Sequence, residues 1–140
     1  MAYNILIVDD SISMRKVMAK VIRMSGFPVN DILEAENGIE GISQVEQCPV
    51  DFILTDLNMP GMDGISFIRE LHRREEFESI PVVVVSTEGR SEVIDEVETL
   101  GIIDYVQKPF QPEVISDTLR SLLESEDDIA EFADPEAPDF

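Results

Sequence analysis

A doubly wound α/β domain, with five parallel strands and helices on both faces of the sheet, is what this 140-residue sequence predicts. Short apolar runs rich in β-branched residues recur at Ile5 to Val8, Phe52 to Leu54 and Val82 to Val85, each too short for a helix. Stretches with helical apolar spacing lie between them. Strands alternating with helices make βα units, and right-handed crossovers then force a mostly parallel sheet covered on both sides.

The first strand, Ile5 to Val8, ends at Asp9 and Asp10. In the helix that follows, Met14, Val17, Met18, Val21 and Ile22 keep the i, i+3, i+4, i+7, i+8 spacing, while Arg15, Lys16, Lys20 and Arg23 fall largely off that stripe. Ile32 to Glu34 is a weaker strand, followed by a helix over about Gly38 to Gln47. The strand Phe52 to Leu54 leads to Asp56 and a turn-rich loop holding Asn58, Pro60, Gly61, Asp63 and Gly64, then a helix from about Ile65 to Arg74. Val82 to Val85 ends at Ser86 and Thr87, and a helix over about Ser91 to Leu100 comes next. Asp104 to Gln107 is a second weak strand, followed by Lys108 and a helix from Pro112 to Glu124. Pro112 suits a first helical turn because its missing N–H would be unpaired there anyway.

Length and an apolar content of 44% fit one domain, placed at residues 1–124, with an acidic C-terminal tail at 125–140. The tail holds seven acids, no base and two prolines, and reads as a flexible or partly helical appendage. Ile129, Phe132 and Phe140 set among those acids also read as a docking peptide for the chain's own output face. A net charge of −20 argues against direct contact with a nucleic-acid backbone, so protein partners and small cations are expected. No run of eighteen apolar residues exists and the N-terminus lacks a secretory pattern, so no membrane insertion and a cytoplasmic location are expected. Cys48 is the lone cysteine and has no zinc-spaced neighbours; His72 reads as a polar face residue of the third helix.

In such sheets ligands bind beyond the carboxyl ends of the strands. Asp9 and Asp10, Asp56, Ser86 with Thr87, and Lys108 all follow strands and converge there. The bland readings are helix capping for Asp9 and Asp10, an ordinary turn acid for Asp56 and a solvated surface residue for Lys108. Three carboxylates in one pocket would repel each other and raise their pKa values, which a bound divalent cation relieves. An all-oxygen site of this kind suits Mg²⁺, with Asp10 and Asp56 as direct ligands and Asp9 acting through water.

The segments ILIVDD, LTDLNMPGMDG, VVVVST and YVQKPF, in that order and spacing, resemble the receiver domains of two-component response regulators, most closely the stand-alone chemotaxis type. The resemblance covers about Asn4 to Leu123. It implies a flavodoxin-like (βα)5 fold with strand order 2-1-3-4-5. It implies that Asp56 accepts a phosphoryl group from a sensor histidine kinase or phosphotransfer protein, with Lys108 binding a phosphoryl oxygen and the Asn58 backbone carbonyl completing the metal's protein ligands. It further implies Ser86 as the switch hydroxyl where the family commonly has Thr, Tyr105 as the aromatic that swings inward, Asn58 and Glu88 as the pair tuning dephosphorylation, and a cis peptide at Lys108-Pro109. On that reading the chain is a signalling switch rather than an enzyme. It would act on a protein target through the surface of its fourth helix, fifth strand and fifth helix, as a monomer or a phosphorylation-dependent dimer.

Chemotaxis members that bind the flagellar switch carry lysines on that surface, where this sequence has Glu92, Asp95, Glu96 and Glu98. Control of motility, regulation of an enzyme and a place as a phosphorelay intermediate are the readings within the family. A flavodoxin-type cofactor protein shares the architecture, but Asp9 and Asp10 would repel a phosphate in the first loop. A phosphatase of the haloacid-dehalogenase type also uses an Asp nucleophile and Mg²⁺, but needs a second Asp where Asn58 stands.

Overall fold

Each β-branched run becomes a strand because its side chains are covered on both faces, as in parallel sheets. The computed structural model describes residues 2–133. β1 (Tyr3–Val8), β2 (Val29–Ala35), β3 (Phe52–Thr55), β4 (Val82–Ser86) and β5 (Asp104–Gln107) form one parallel sheet in the order β2-β1-β3-β4-β5. The helices are α1 (Ile12–Met24), α2 (Gly38–Gln47), α3 (Gly64–Arg73), α4 (Ser91–Glu98) and α5 (Pro112–Ala133). This is the flavodoxin-like order expected from sequence.

Successive residues of β1 alternate between two cores, as the two-residue strand period requires. Ile5 and Ile7 pack with Met18 and Ile22 of α1 and with Ile115, Leu119 and Leu122 of α5. Leu6 and Val8 pack on the opposite face with Ile42 and Val45 of α2 and Phe67, Ile68 and Leu71 of α3. Burying each such side chain contributes about 1.5–3 kcal/mol before entropy is charged. Tyr3, Phe27 and Phe52 close the first core at the amino ends of the strands, with ring centroids 5.3–5.8 Å apart. The strands' carboxyl ends are left for polar residues.

Element boundaries differ from the sequence reading in instructive places. Val17 shares the apolar stripe of α1 but is 47% exposed, because it lies one residue, about 100° of arc, from the fully buried Met18. α4 stops at Glu98, short of Leu100, and Gly101 at φ 82° turns the chain toward β5. α5 continues past Glu124 to Ala133, into the residues read as an acidic tail. The docking peptide suggested for that tail extends to Phe140, and 134–140 lie outside the described residues. Among the described residues, no helix is long and apolar enough to cross a membrane.

Candidate functional site

The sheet register brings the strand ends level with one another. Val8 is opposite Thr55, so the residues that follow them, Asp9 and Asp56, leave adjacent strands at the same height. Backbone bonds pin both: Asp9 N–H donates to Ala35 O at 3.0 Å and Asp56 N–H to Val8 O at 2.8 Å. One carboxylate oxygen each from Asp9, Asp10 and Asp56 lies within 4.8 Å of the others. Lys108, just beyond β5, places Nζ 2.7 Å from Asp9 Oδ2 and 3.1 Å from Asp56 Oδ2.

The three acids have different surroundings. Asp9 is fully buried, its Oδ1 accepting from the Ser11 N–H at 2.9 Å and its Oδ2 held by Lys108. Asp56 is 7% exposed, with Oδ1 accepting from the Leu57 N–H at 2.6 Å. Asp10 is exposed. Burial works against the charge of Lys108, but the hydrogen bond it donates to Asp9 and the negative charges of Asp56 and Asp9 outweigh it and raise its pKa above the ordinary lysine value.

The loop after β3 is shaped by glycines and a cap. Gly61 has φ 79°, a conformation that favours glycine. Gly64 lies so close to the end of β3 that a Cβ there would stand 2.2 Å from Asp56 O, and its N–H donates to Leu57 O at 2.9 Å. Asp63 caps α3 by accepting from the Ser66 N–H at 2.8 Å. Leu57 and Met59 turn inward, while Asn58 between them faces solvent.

At the end of β4 the two hydroxyl residues part company: Ser86 is fully buried and Thr87 is exposed. Ser86 Oγ accepts from the Glu88 N–H at 3.1 Å. The half-buried Tyr105 turns its phenol toward the same loop and donates to the Glu88 carbonyl at 2.6 Å. Burial raises the Tyr105 pKa, with the Ser86 hydroxyl pulling the other way. The Glu88 carboxylate accepts from Arg90 Nε at 2.8 Å, Arg90 Nη2 at 2.9 Å and the Arg90 N–H at 3.0 Å. These bonds lower its pKa to about 2. The Lys108-Pro109 peptide is cis.

An acid pair, a third acid at the end of the adjacent strand, a buried hydroxyl and a lysine thus lie together at one sheet edge. The model of the response regulator receiver domain matches residues 5–120. The chain belongs to this family. It is a receiver domain of two-component systems, similar to the CheY chemotaxis regulators. Chemotaxis protein CheY-3 of Vibrio cholerae is 34% identical over 121 residues, spanning 86% of this chain and 92% of that one. Chemotaxis protein CheY1 of Helicobacter pylori is 33% identical over 126 residues, spanning 89% and 99%. Among solved structures, CheY4 of Vibrio cholerae superposes with a TM-score of 0.74 at 28% identity, covering 89% of this chain and 98% of that one. The receiver domain of a Pseudomonas aeruginosa sensor histidine kinase, solved with magnesium in its active-site cleft, shares the fold with a TM-score of 0.77 at 23% identity, covering 89% and 99%.

The donor set of this receiver domain fits a hard divalent cation. Three carboxylate oxygens lie together, and the Lys108 ammonium contacts only those of Asp9 and Asp56. Two residues that shape the site escaped the sequence reading. In the sequence Gly64 marks only a turn, whereas in the structure it permits close backbone approach. In the sequence Arg15 marks only the polar side of α1, yet its Nη1 donates to the Asp9 carbonyl at 2.7 Å. No local pattern marks either role.

Proposed function

We propose that this receiver domain is a phosphorylation switch that accepts a phosphoryl group on Asp56 from the phosphohistidine of a sensor kinase or phosphotransfer protein. The observation that carries the reading is the position of Lys108, which bridges Asp9 and Asp56 inside a cluster of three carboxylates. In the transfer, an Asp56 oxygen forms the new O–P bond as the N–P bond breaks, and the electron pair returns to the imidazole of the donor. Leu57 N–H holds Asp56 Oδ1 at 2.6 Å, so the Oδ2 oxygen on the Lys108 side is the one presented to the phosphorus. Lys108 then exchanges its contact with Asp56 for a phosphoryl oxygen, as a point charge.

Asp9, Asp10 and Asp56 would hold Mg²⁺, with the Asn58 backbone carbonyl completing the protein ligands. When bound, the ion supplies charge neutralisation for the carboxylate and the incoming phosphoryl oxygens. Ser86 Oγ, buried beside the pocket, hydrogen-bonds the phosphoryl group. That draws on the loop whose Glu88 carbonyl anchors Tyr105, so occupancy of the pocket biases the surface formed by α4, β5 and α5. Glu88 and Asn58 tune hydrolysis of the acyl phosphate. α4 exposes Glu92, Asp95, Glu96 and Glu98, so the output protein that docks there carries complementary basic groups.

The test is incubation with Mg²⁺ and acetyl phosphate followed by intact-mass spectrometry. One added phosphoryl group, absent in Asp56→Asn and absent with EDTA, is the expected result. An addition that survives in Asp56→Asn would place the acceptor elsewhere and overturn the reading.

A further inference from the structure

A nearly buried arginine lies against the acidic cluster. Arg15 keeps 12% of its side chain exposed. Helical side chains lean toward the helix N-terminus, and Arg15 leans back from α1 to the end of β1. Its Nη1 donates to the Asp9 carbonyl at 2.7 Å and its Nε to Glu34 Oε1 at 2.7 Å. Glu34 is itself fixed: it pairs with Ile7 in the β1–β2 register, and its carbonyl accepts from Gln44 Nε2 at 2.8 Å. The guanidinium is therefore a brace running from β2 to the peptide that joins Asp9 to Asp10.

That peptide matters because of what holds each acid. Asp9 and Asp56 are oriented through their carboxylates by Ser11 N–H, Leu57 N–H and Lys108. Among the described residues, no hydrogen bond or ion pair involves the Asp10 carboxylate. Its aim is set by its backbone alone, and the adjoining carbonyl is in the grip of Arg15.

We propose that Arg15, braced by Glu34, is a positioning residue for the divalent cation: it fixes the Asp9–Asp10 peptide and so points the Asp10 carboxylate into the site. The inference rests on the metal-site reading above. It also opposes simple electrostatics. A positive charge beside a cation site weakens cation binding, so if Arg15 acted only as a charge, removing it would tighten Mg²⁺. If it positions Asp10, removing it loosens Mg²⁺, and the sign of the change separates the two roles.

Mg²⁺ is titrated calorimetrically into the full chain and its variants, with urea unfolding in EDTA as a separate readout of the metal-free fold. Loss of binding in Asp10→Asn supports the metal site itself; wild type and Asp10→Asn binding alike would overturn that reading and this proposal with it. With the site so supported, Arg15→Gln is expected to weaken Mg²⁺ by about tenfold, the scale of an outer-shell support. Arg15→Lys, a single point donor that cannot bridge both acceptors, should recover part of the loss. Glu34→Gln should weaken binding in wild type and add nothing in the Arg15→Gln background. Equal or tighter Mg²⁺ binding in Arg15→Gln beside a lost Asp10→Asn site would overturn the proposal. Were Arg15→Gln not to fold, Arg15→Lys decides by the same sign.

Discussion

The Tyr105 hydroxyl donates to the backbone carbonyl of Glu88 at 2.6 Å, tying the edge strand β5 to the loop between β4 and α4. The same residue, Glu88, donates its N–H to Ser86 Oγ at 3.1 Å. Ser86 and Tyr105 thus share one peptide segment, and movement of either is felt by the other.

Tyr105→Phe keeps the ring and removes the hydrogen bond. The expected cost is about 1 kcal/mol, the net worth of one such bond, read as a lowered urea midpoint with an unchanged slope. No loss of stability would mean that the bond is not maintained in solution.

Glu88 should titrate at an unusually low pH, because Arg90 hydrogen-bonds its charged form and lowers its pKa to about 2. A depressed carboxyl pKa contributes stability above its unfolded value, and the contribution is lost as pH falls toward that lowered value. Carbon-detected NMR titration of the side chain measures it. In Arg90→Gln the midpoint is expected to move up toward that of an ordinary glutamate; an unmoved midpoint would show that the ion pair is not its cause.

Lys108→Ala removes the ammonium that bridges Asp9 and Asp56. The Lys108 and Asp9 side chains are 10% and 1% exposed, and breaking a buried pair by deleting one partner costs about 3–5 kcal/mol. Urea unfolding in EDTA is the measurement, and added Mg²⁺ should return part of the loss. In wild type the stability owed to the raised Lys108 pKa is present below the ordinary lysine value and disappears as pH rises through the folded one. The unfolding midpoint of Lys108→Ala should therefore depend less on pH in that alkaline range.

Gly64→Ala puts a methyl group 2.2 Å from the Asp56 carbonyl oxygen, against backbone that has no rotamer to yield. Overpacking of this kind costs about 1–3 kcal/mol, and here the strain falls on Asp56, the proposed acceptor. Both the urea midpoint and the rate of phosphoryl addition are expected to drop. Gly26→Ala, at a position with no heavy atom within 4 Å but with φ 85°, is the control: it should lose stability without slowing the addition.

Much of the fold could be read from local pattern. β-branched runs marked Ile5–Val8, Phe52–Leu54 and Val82–Val85 as buried strands, and the observed β1, β3 and β4 contain them. Of the two weaker strands, Asp104 to Gln107 is observed with those same bounds as β5, whereas Ile32 to Glu34 lies within a seven-residue β2 whose exposed Asn30 and Asp31 give no apolar signal. α5 extends past Glu124 into the acidic stretch that reads from sequence as a flexible or partly helical tail.

By itself the sequence determined the order of strands and helices and which polar residues follow which strand, because apolar periodicity and turn chemistry are properties of neighbours in the chain. It thereby assigned Asp9, Asp10, Asp56, Ser86 and Lys108 to one edge of the sheet. The tertiary structure alone decided that Lys108 bridges Asp9, 99 positions away, and Asp56, and that Gly64 must lack a Cβ. It also decided that Arg15 reaches both Glu34 and the Asp9 carbonyl, and that Tyr105 turns to Glu88. Those relations are distances between segments remote in sequence, and they come into being only when the sheet register sets the strand ends side by side.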